Sequence, residues 1–337
     1  MSKILVTGAG GYIGSVTSKL LLENGYSVVA LDNFSRGYHE PLELLKSQYS
    51  NKISIHTGDL LVDGGKEVLE KEKDIEAVIH FAALLNVGES WKIPHKYYTN
   101  NIGGTTRLTQ ELIDHGVRYF IFSSSCTVYG NAQYSPIDEN HPIAEPVTPY
   151  GFSKLVCEKI LSWHDKVDAL KSVSLRYFNV CGATDDGTIG DSKRPSFHLM
   201  QNAVRGALGI APFELNYANV KTPDGSPIRD YVNVVDLADA HVKALKWILE
   251  NKKTNVFNLG TGDGNSVLEI IEAVKKYTGK TFEVGVSADR RSGEADKMIA
   301  DNRKAKEILG WEPKHSLEQS VESLIKWYTK HPGGWGR

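Results

Sequence analysis

The sequence predicts an α/β fold with a doubly wound parallel sheet and a smaller C-terminal α/β domain. Short apolar stretches typical of buried strands alternate with amphipathic stretches typical of helices over the first half of the chain. The first of these strands runs directly into a glycine-rich turn and then a helix. A strand, a glycine turn and a helix in this order make a Rossmann-type sheet the expected architecture.

The predicted elements follow from hydrophobic periodicity. Strands are expected at residues 3–7, 27–31, 52–57, 77–82, 118–123 and 173–178. Helices are expected from the glycine turn to about residue 22 and at 40–49, 66–71, 101–115 and 150–163. In the second half we expect a loop at 182–195, helices at 234–249 and 267–278, and strands at 228–235 and 255–259 that return to the sheet. Residues 1–178 are therefore the first predicted domain, with segments near 228–260 interleaved, and residues 179–337 mainly form the second.

Composition narrows the classes of function. The chain has 337 residues, a formal net charge of −2 and a pI of about 6.6, so neither nucleic acid nor a membrane surface is an expected partner. Met1 leads directly into the first strand, so we expect no signal peptide. Three widely spaced cysteines, Cys126, Cys157 and Cys181, fit neither a metal site nor a disulfide framework and indicate a reducing cytoplasm.

The glycine-rich turn predicts a site for a dinucleotide. Residues 3–7 (KILVT) are followed by GAGGYIG at 8–14. Gly8 permits the tight turn, Gly11 lets the backbone approach a pyrophosphate, and Gly14 lets the helix pack on the sheet. The N–H groups and the dipole at the helix N-terminus favour the anion.

An acid after the second strand selects the dinucleotide. Asp32 lies close to the offset at which a carboxylate binds a ribose 2′-hydroxyl. Because a carboxylate repels a 2′-phosphate, we expect NAD rather than NADP. Arg36 lies nearby, and its positive charge would favour the 2′-phosphate of NADP.

Tyr150 and Lys154 form the most informative pair in the chain. Their i, i+4 spacing places both on one helix face, where the ammonium lowers the pKa of the phenol and leaves a tyrosinate that accepts a proton. Lowering that pKa from roughly 10 to near neutrality is a shift of about 3 units, or about 4 kcal/mol. Thr-Pro at 148–149 predicts the start of the helix, so its dipole adds to the effect. Ser125 is expected to bind a substrate oxygen, or alternatively to satisfy backbone groups at a strand end.

A series of ordered motifs carries a resemblance to a known family. The motifs are VTGAGGYIGS (6–15), LDNFSRG (31–37), GDL (58–60), HFAALLNVGES (80–90), YYTNNIGGT (97–105), SSSCTVYG (123–130), TPYGFSK (148–154), LRYFNVCGA (175–183), IRDYVNVVDLADAH (228–241), FNLGTG (257–262) and RRSGEADKMIAD (290–301). With them, the chain resembles the UDP-glucose 4-epimerases (UDP-galactose 4-epimerases) of the extended short-chain dehydrogenase/reductase superfamily through nearly its whole length. The resemblance implies an isomerase that uses NAD, acts on a UDP-sugar and forms a homodimer.

The resemblance also implies a role for each matching residue. Tyr150 would remove the proton of the sugar 4-hydroxyl, Ser125 would bind that oxygen, and Lys154 would hold the nicotinamide ribose. The implied NAD-binding residues are Gly8, Gly11, Tyr12, Ile13 and Gly14 at the pyrophosphate, Asp32, Asn33 and Ser35 at the adenine ribose, Asp59 and Leu60 at the adenine, and Phe81, Ala82, Ala83, Asn100 and Tyr177 along the remaining path, with Tyr150 and Lys154. The implied UDP-binding residues are Asn179, Arg229, Arg291 and Glu294.

The chain departs from the family pattern in its substrate region. Leu85 stands where some epimerases carry a lysine near the cofactor, and His198 replaces an asparagine near the nucleotide. Residues 216–220 lack the usual Phe-Gly pair near the uracil, where we expect Tyr217 to stack instead. The resemblance implies that Met298 lies at the wall beside the sugar 2-position, where related epimerases with a tyrosine are restricted to glucose and galactose and those with a small residue also accept N-acetyl sugars. Its intermediate, adaptable side chain predicts UDP-glucose and UDP-galactose as the preferred pair, unless it only fills the core.

The implied mechanism is transient oxidation at the sugar C4, rotation of the 4-keto sugar and return of the hydride to its other face. A 4-epimerase of another UDP-sugar (arabinose, a uronate or an N-acetylhexosamine) is the nearest alternative. A nucleotide-sugar 4,6-dehydratase is a second, disfavoured because residues 126–128 (CTV) supply no acid. A non-catalytic NAD-sensing protein is a third, disfavoured because Ser125, Tyr150 and Lys154 are all present.

Overall fold

The computed structural model describes residues 2–167, 170–217, 219–287 and 295–336. The chain divides into two compact units. The first unit comprises Met1–Gly130, Ile143–Arg176 and Ala238–Phe257, and the second comprises Asn131–Pro142, Tyr177–Leu237 and Asn258–Arg337.

The elements alternate between strand and helix over the first half of the chain. The strands are β1 (Lys3–Thr7), β2 (Ser27–Asp32), β3 (Ile53–Thr57), β4 (Ile75–His80), β5 (Tyr119–Ser123), β6 (Lys171–Tyr177), β7 (Asn179–Cys181), β8 (Glu214–Leu215), β9 (Ile228–Arg229), β10 (Tyr231–Asn233), β11 (Asn255–Leu259), β12 (Asn265–Ser266), β13 (Gly285–Val286) and β14 (Lys297–Met298). The α-helices are α1 (Tyr12–Glu23), α2 (Glu40–Tyr49), α3 (Gly64–Lys71), α4 (Val87–Lys92), α5 (Pro94–Tyr97), α6 (Gly104–Asp114), α7 (Pro149–Val167), α8 (Leu199–Ala207), α9 (Val234–Asn251), α10 (Val267–Thr278) and α11 (Leu317–Lys330). The described ranges also contain short 3₁₀ helices at Ser50–Lys52 and Cys126–Tyr129 and π-helical segments at Tyr98–Gly103 and Ala305–Leu309.

The main sheet has seven strands in the order β11-β6-β5-β4-β1-β2-β3. The pairings from β6 across to β3 are parallel. Chain order reverses between β1 and β4, and ligands of such sheets bind beyond the carboxyl ends of the strands at this switch point. The predicted doubly wound parallel sheet is confirmed, and the predicted glycine turn follows β1 at the switch point.

An apolar layer joins the sheet of the first unit to its helices. Leu5, Val29, Val78 and Phe120 of four neighbouring strands are buried in one cluster. Side chains of α3, α6 and α7 pack into the same cluster, among them Leu69, Leu108, Leu112 and Leu161. These strands are apolar on consecutive residues because both faces of a parallel sheet are covered.

The second unit has small sheets and a helical core. Its sheets are β10-β7, β12-β9-β14 and β13-β8. Its apolar cluster is formed largely by α8, α10 and α11, with Met200, Ile270 and Trp327 among the buried members. Both α10 and α11 begin with a complete capping box, which pairs backbone groups that a helix start would otherwise leave without partners.

The predicted strand at 228–235 is wrong as a single element. Its residues form β9 and β10 and then the first turn of α9, with Asp230 at the break. The buried Asp230 carboxylate accepts hydrogen bonds from the backbone N–H groups of Thr261, Gly262 and Ala300 and from the Thr261 hydroxyl. The Asn233 side chain then accepts from the N–H of Val235, which starts the helix.

One further difference concerns the start of a helix. The predicted helix at 101–115 is α-helical only over α6, because its first residues belong to the π-helical segment Tyr98–Gly103. None of the helices within the described ranges combines the length and apolarity that a membrane crossing requires.

Candidate active site

The glycine turn between β1 and α1 has the geometry of a close backbone approach. Gly8 adopts a positive φ of 69°, and a Cβ there would lie 2.7 Å from the backbone N of Ala82, directly after β4. A Cβ on Gly14 would lie 2.2 Å from the Gly8 carbonyl oxygen, so α1 packs against the turn itself. Gly11 is the N-cap of α1, which has no side-chain cap and no acidic residue in its first turn. This helix start therefore suits an anionic group such as a pyrophosphate.

Asp32 ends β2 beside this turn and is held rigidly. Its two carboxylate oxygens accept from the N–H of Gly10 at 2.9 Å and of Phe34 at 2.8 Å. Arg36, whose positive charge would favour NADP, forms an ion pair with Glu89 at 3.3 Å. A buried acid with this arginine engaged elsewhere fits a free ribose 2′-hydroxyl better than a 2′-phosphate.

Most of the other predicted cofactor residues lie at the carboxyl ends of strands or in the helix that follows β1. The Asn33 amide donates to Asp59 at 2.8 Å, which joins the ends of β2 and β3, and the Ser35 hydroxyl donates to Asn33. Tyr12 and Leu60 are buried. The remaining members are Ile13 in the first turn of α1, Phe81, Ala82 and Ala83 after β4, Asn100 in the π-helical segment and Tyr177 at the end of β6.

Asn101, which the sequence analysis did not name, organises the segment after β4. Its buried side chain accepts from the N–H of Leu84 at 2.8 Å and donates to the carbonyl oxygen of Leu84 and to the Ser153 hydroxyl, both at 3.0 Å. Ser153 in turn donates to the carbonyl oxygen of Tyr150. Two consecutive asparagines inside an otherwise helical pattern are the signal that could have identified this residue, because Asn is unfavourable in a helix interior.

The helix α7 begins where its sequence predicts. The Thr148 hydroxyl accepts from the N–H of Gly151 at 3.0 Å, so Thr148 is the N-cap and Pro149 the first helical residue. Tyr150 therefore lies in the first turn and is half-buried. The Lys154 ammonium lies 6.0 Å from the centroid of the Tyr150 ring, so the structure brings this predicted pair together.

Lys154 is only 3% exposed. Its ammonium donates to the carbonyl oxygen of Ser123 at 2.7 Å and lies 4.9 Å from the centroid of the Phe122 ring. Burial lowers the pKa of Lys154 to about 8, although the neighbouring Cys157 and Glu158 favour the charged form. Burial and the Lys154 charge lower the pKa of His80 on β4 to about 3, so His80 is neutral near pH 7.

Ser125 presents a hydroxyl directly after β5. Its oxygen accepts from the N–H of Thr127 at 3.2 Å and from the Thr127 hydroxyl at 2.9 Å. Since its oxygen already accepts two hydrogen bonds, the Ser125 hydrogen is directed to a further acceptor. Ser125 therefore caps a 3₁₀ helix, and its donation to a substrate oxygen stays a prediction.

Three predicted substrate residues of the second unit surround Asp230. The N–H of Asp230 donates to the carbonyl oxygen of Met298 at 3.1 Å, and its carbonyl oxygen accepts from the N–H of Asn179 at 2.9 Å. Arg229 precedes it, with a guanidinium that donates to the carbonyl oxygens of Ile228 and Ala295 at 2.9 Å each. The structure thus brings Asn179, Arg229 and Met298 together, and Met298 is buried.

The remaining predicted residues are dispersed or undescribed. His198 precedes α8 as its N-cap, and burial lowers the pKa of its imidazole, so the ring is neutral near pH 7. Tyr217 packs at the margin of the core of the second unit, and Leu85 is half-buried after β4. Arg291 and Glu294 lie outside the described residues. In the part of the chain that the structure describes, no group of three or more His, Cys, Asp or Glu side chains is arranged to hold a metal ion.

Comparison with known proteins identifies relatives over the full length of the chain. The family model described as GDP-mannose 4,6 dehydratase matches residues 5–324. A UDP-glucose 4-epimerase of Lactobacillus helveticus is 42% identical over 99% of this chain and 99% of its own length. A mouse UDP-glucose 4-epimerase is 40% identical over 100% of this chain and 99% of its own length.

Solved structures extend the similarity to three dimensions. The UDP-glucose 4-epimerase of Bifidobacterium longum, in complex with NAD+ and UDP, superimposes with a TM-score of 0.94 at 36% identity, covering 99% of this chain and 100% of that one. The UDP-Glc/GlcNAc 4-epimerase of Campylobacter jejuni superimposes with a TM-score of 0.83 at 38% identity, covering 98% of this chain and 100% of that one.

The buried Lys154 predicts a specific dependence of stability on pH. Its pKa is about 8 in the folded state, below the unfolded value of roughly 10.4, so the unfolded chain binds more protons between these two pH values. This side chain therefore opposes folding below pH 8 and does so less as the pH rises to about 10.4. Compared with Lys154→Met, the wild type should gain roughly 3 kcal/mol of unfolding free energy between pH 7 and 10.5 in urea titrations. A constant difference between the two proteins would contradict this.

Proposed function

The chain belongs to the UDP-glucose 4-epimerase family, and we propose that it interconverts UDP-glucose and UDP-galactose with bound NAD. The family resemblance predicted from the motifs is thereby confirmed, as is its assignment as an isomerase. The observation that carries the proposed chemistry is the arrangement on α7. A half-buried phenol, Tyr150, stands one turn before the buried ammonium of Lys154.

These side chains can move the proton that the reaction requires. The Lys154 ammonium stabilises the phenolate form of Tyr150, which takes the proton from the sugar 4-hydroxyl. The Ser125 hydroxyl donates to the same sugar oxygen and fixes its position. When the hydride returns, Tyr150 gives the proton back.

The first unit has the features that binding of NAD requires. The turn at Gly8, Gly11 and Gly14 leaves room for a pyrophosphate, and Asp32 suits an adenine ribose with a free 2′-hydroxyl. A bound NAD+ would supply the hydride acceptor for the sugar C4, and the NADH so formed would be the donor for the return of the hydride to the same carbon. The protein contributes orientation and the charge that ionises Tyr150.

We assign binding of the UDP portion to the second unit. Asn179, Arg229 and His198 provide hydrogen-bond donors, and Tyr217 provides a ring for the base. An arginine suits a diphosphate because its planar fork pairs with two oxygens. Arg291 and Glu294, in the matching family motif, complete the proposed set. Anchoring through the nucleotide leaves the sugar able to turn between the two hydride transfers.

The alternatives are less well supported. A 4,6-dehydratase needs an acid after the catalytic serine, whereas Cys126, Thr127 and Val128 carry none. A non-catalytic NAD sensor has no need of a buried lysine beside a tyrosine. Whether the enzyme accepts other UDP-sugars depends on the residues around the sugar, of which Met298 is the proposed determinant.

We propose that the enzyme is a homodimer that docks through the exposed face of α7. Phe152, Trp163 and Val167 on this helix are 41%, 63% and 69% exposed. Tyr98, also exposed, packs edge-on against Phe152 at 5.7 Å between ring centroids. Such an apolar surface along one helix favours burial against a second copy. Charge gives no reason to propose nucleic acid as a partner.

We also propose a cytoplasmic location. Cys126, Cys157 and Cys181 are buried and form no disulfide. Cysteines outside disulfides are typical of proteins kept in a reducing compartment.

Tyr150→Phe should nearly abolish conversion of UDP-galactose to UDP-glucose while leaving the fold and the NAD content intact. Loss of one acid–base group typically costs about 10² to 10⁴-fold. The assay follows UDP-glucose formation by NMR with no reductant added. Tyr119→Phe, which removes a phenol on β5 with no proposed role, is the matched control. Wild-type turnover by Tyr150→Phe would remove this residue from the mechanism.

Purified protein should carry NAD(H) rather than NADP(H). Asp32 repels a 2′-phosphate, and Arg36 is paired with Glu89. Denaturing the protein and identifying the released nucleotide by chromatography measures the choice. Asp32→Asn should move the preference toward NADP(H). Mainly NADP(H) from the wild type would mean that Arg36 outweighs Asp32.

Met298 should set the size limit for the sugar 2-substituent. With methionine there, UDP-glucose and UDP-galactose should be preferred, with at most weak turnover of N-acetylated forms. Met298→Ser should raise the kcat/KM ratio of N-acetylhexosamine to hexose substrates, and Met298→Tyr should lower it. If neither substitution moves that ratio, Met298 is a core filler and the size argument fails.

A further inference from the structure

A buried ion pair between Glu158 and Arg176 joins α7 to β6. Neither residue takes part in the proposed proton transfer. Arg176 donates through Nε to Glu158 Oε1 at 2.9 Å and through Nη2 to Oε2 at 2.6 Å. The two side chains are only 5% and 8% exposed. Burying two charges costs free energy that a pair of apolar residues would not cost, so a stabilising role does not by itself account for this pair.

The place of Glu158 on the helix connects it with the catalytic pair. Tyr150, Lys154 and Glu158 follow one another at i, i+4 and i+8 and so project from one side of α7. Glu158 Oε1 also accepts a hydrogen bond of 2.5 Å from the hydroxyl of Ser124, a fully buried residue that immediately precedes Ser125. The acid therefore connects the catalytic helix to the segment that carries the serine hydroxyl.

Further contacts hold that segment on both sides of Ser125. Before it, the carbonyl oxygen of Ser123 accepts from Lys154, and the N–H of Ser124 donates to the carbonyl oxygen of Leu175 at 2.9 Å. After it, Arg176 Nη1 donates to the Tyr129 hydroxyl at 3.0 Å, with the guanidinium 4.9 Å from the centroid of the Tyr129 ring. Arg176 thus binds Glu158 and the far end of the segment at once.

We propose that Ser124, held by the Glu158 carboxylate that Arg176 binds, is a positioning residue that fixes the Ser123 carbonyl and the Ser125 hydroxyl relative to Tyr150 and Lys154. Without the Ser124 hydroxyl, the segment can move away from α7. A displacement of about 1 Å at a reacting group can cost roughly 10²-fold in rate. This inference rests on the proposed catalytic roles of Ser125, Tyr150 and Lys154.

The proposal predicts a change in pH dependence as well as in rate. A looser Ser123 carbonyl accepts less well from Lys154, which disfavours the ammonium and withdraws support from the Tyr150 phenolate. The other titratable groups around Lys154 are His80, Cys157 and the paired Glu158. The pKa of His80 is lowered to about 3 by burial and the Lys154 charge, and burial raises the pKa of Cys157, so neither accounts for a change near neutrality.

The test compares Ser124→Ala with the wild type as purified with its cofactor. Turnover of UDP-galactose should fall about 10-fold in kcat, with KM within about twofold. The acidic limb of the kcat profile should move upward by roughly half a pH unit. Ser124→Cys, which keeps a weak donor, should lie between the two proteins. It also keeps the test available if the alanine variant does not fold.

Thr109→Ala is the matched control, because Thr109 also has a fully buried hydroxyl that reaches α7, at His164 near its C-terminal end. This control should lose thermal stability without moving the acidic limb. Wild-type kcat and an unmoved limb in folded Ser124→Ala would overturn the inference, as would equal limb shifts in Thr109→Ala. Wild-type turnover by Tyr150→Phe would instead overturn the catalytic assignment itself.

Discussion

Burial of the Lys154 ammonium is the constraint on which the chemistry depends. A buried charge is costly unless it is hydrogen-bonded, and here the carbonyl oxygen of Ser123 and the face of Phe122 provide the compensation. In a region of low effective dielectric, the same charge acts on Tyr150 more strongly than it would in water. The end of β5 at Ser123 places a carbonyl oxygen against the Lys154 ammonium, and the start of α7 at Pro149 places Tyr150 one turn before Lys154. Both positions are needed for the ammonium to stabilise the Tyr150 phenolate.

Asp230 has a comparable organising role in the second unit. Its buried carboxylate holds the backbone at residues 260–262 and at Ala300, while its own backbone bonds to Asn179 and Met298. The break at Asp230 allows β9 to pair with β14 and β10 to pair with β7. Asn179, Arg229 and Met298 thus owe their placement to the pairings of β7, β9 and β14 on either side of Asp230.

Hydrophobic periodicity and helix-start signals in the sequence predicted those helices and strands whose formation depends mainly on neighbouring residues. The apolar runs of β1 and β11, the helix α10 and the Thr-Pro start of α7 lie where the sequence placed them, because propensity, capping and burial agree there. The pair of Tyr150 and Lys154 was likewise visible, since helical spacing alone brings the two together. The sequence did not predict three features: the break between β9 and β10 at Asp230, the hydrogen bonds of Asn101 to Leu84 and Ser153, and the contact between Glu158 and Ser124. Each joins polar groups far apart in the chain, and only the folded arrangement shows which donor meets which acceptor.

The pH dependence of kcat in Lys154→Met tests the central claim most directly. Without the ammonium, the phenol of Tyr150 should ionise at higher pH, so the acidic limb of the profile should move upward by about one unit or more. Lys159→Met, which removes an exposed ammonium from the same helix, should leave the limb where it is in the wild type. The position of the limb, unlike the size of kcat, does not depend on how much cofactor each variant retains. Coincident acidic limbs in wild type and Lys154→Met would show that the ionisation of Tyr150 does not depend on Lys154 and would contradict the account.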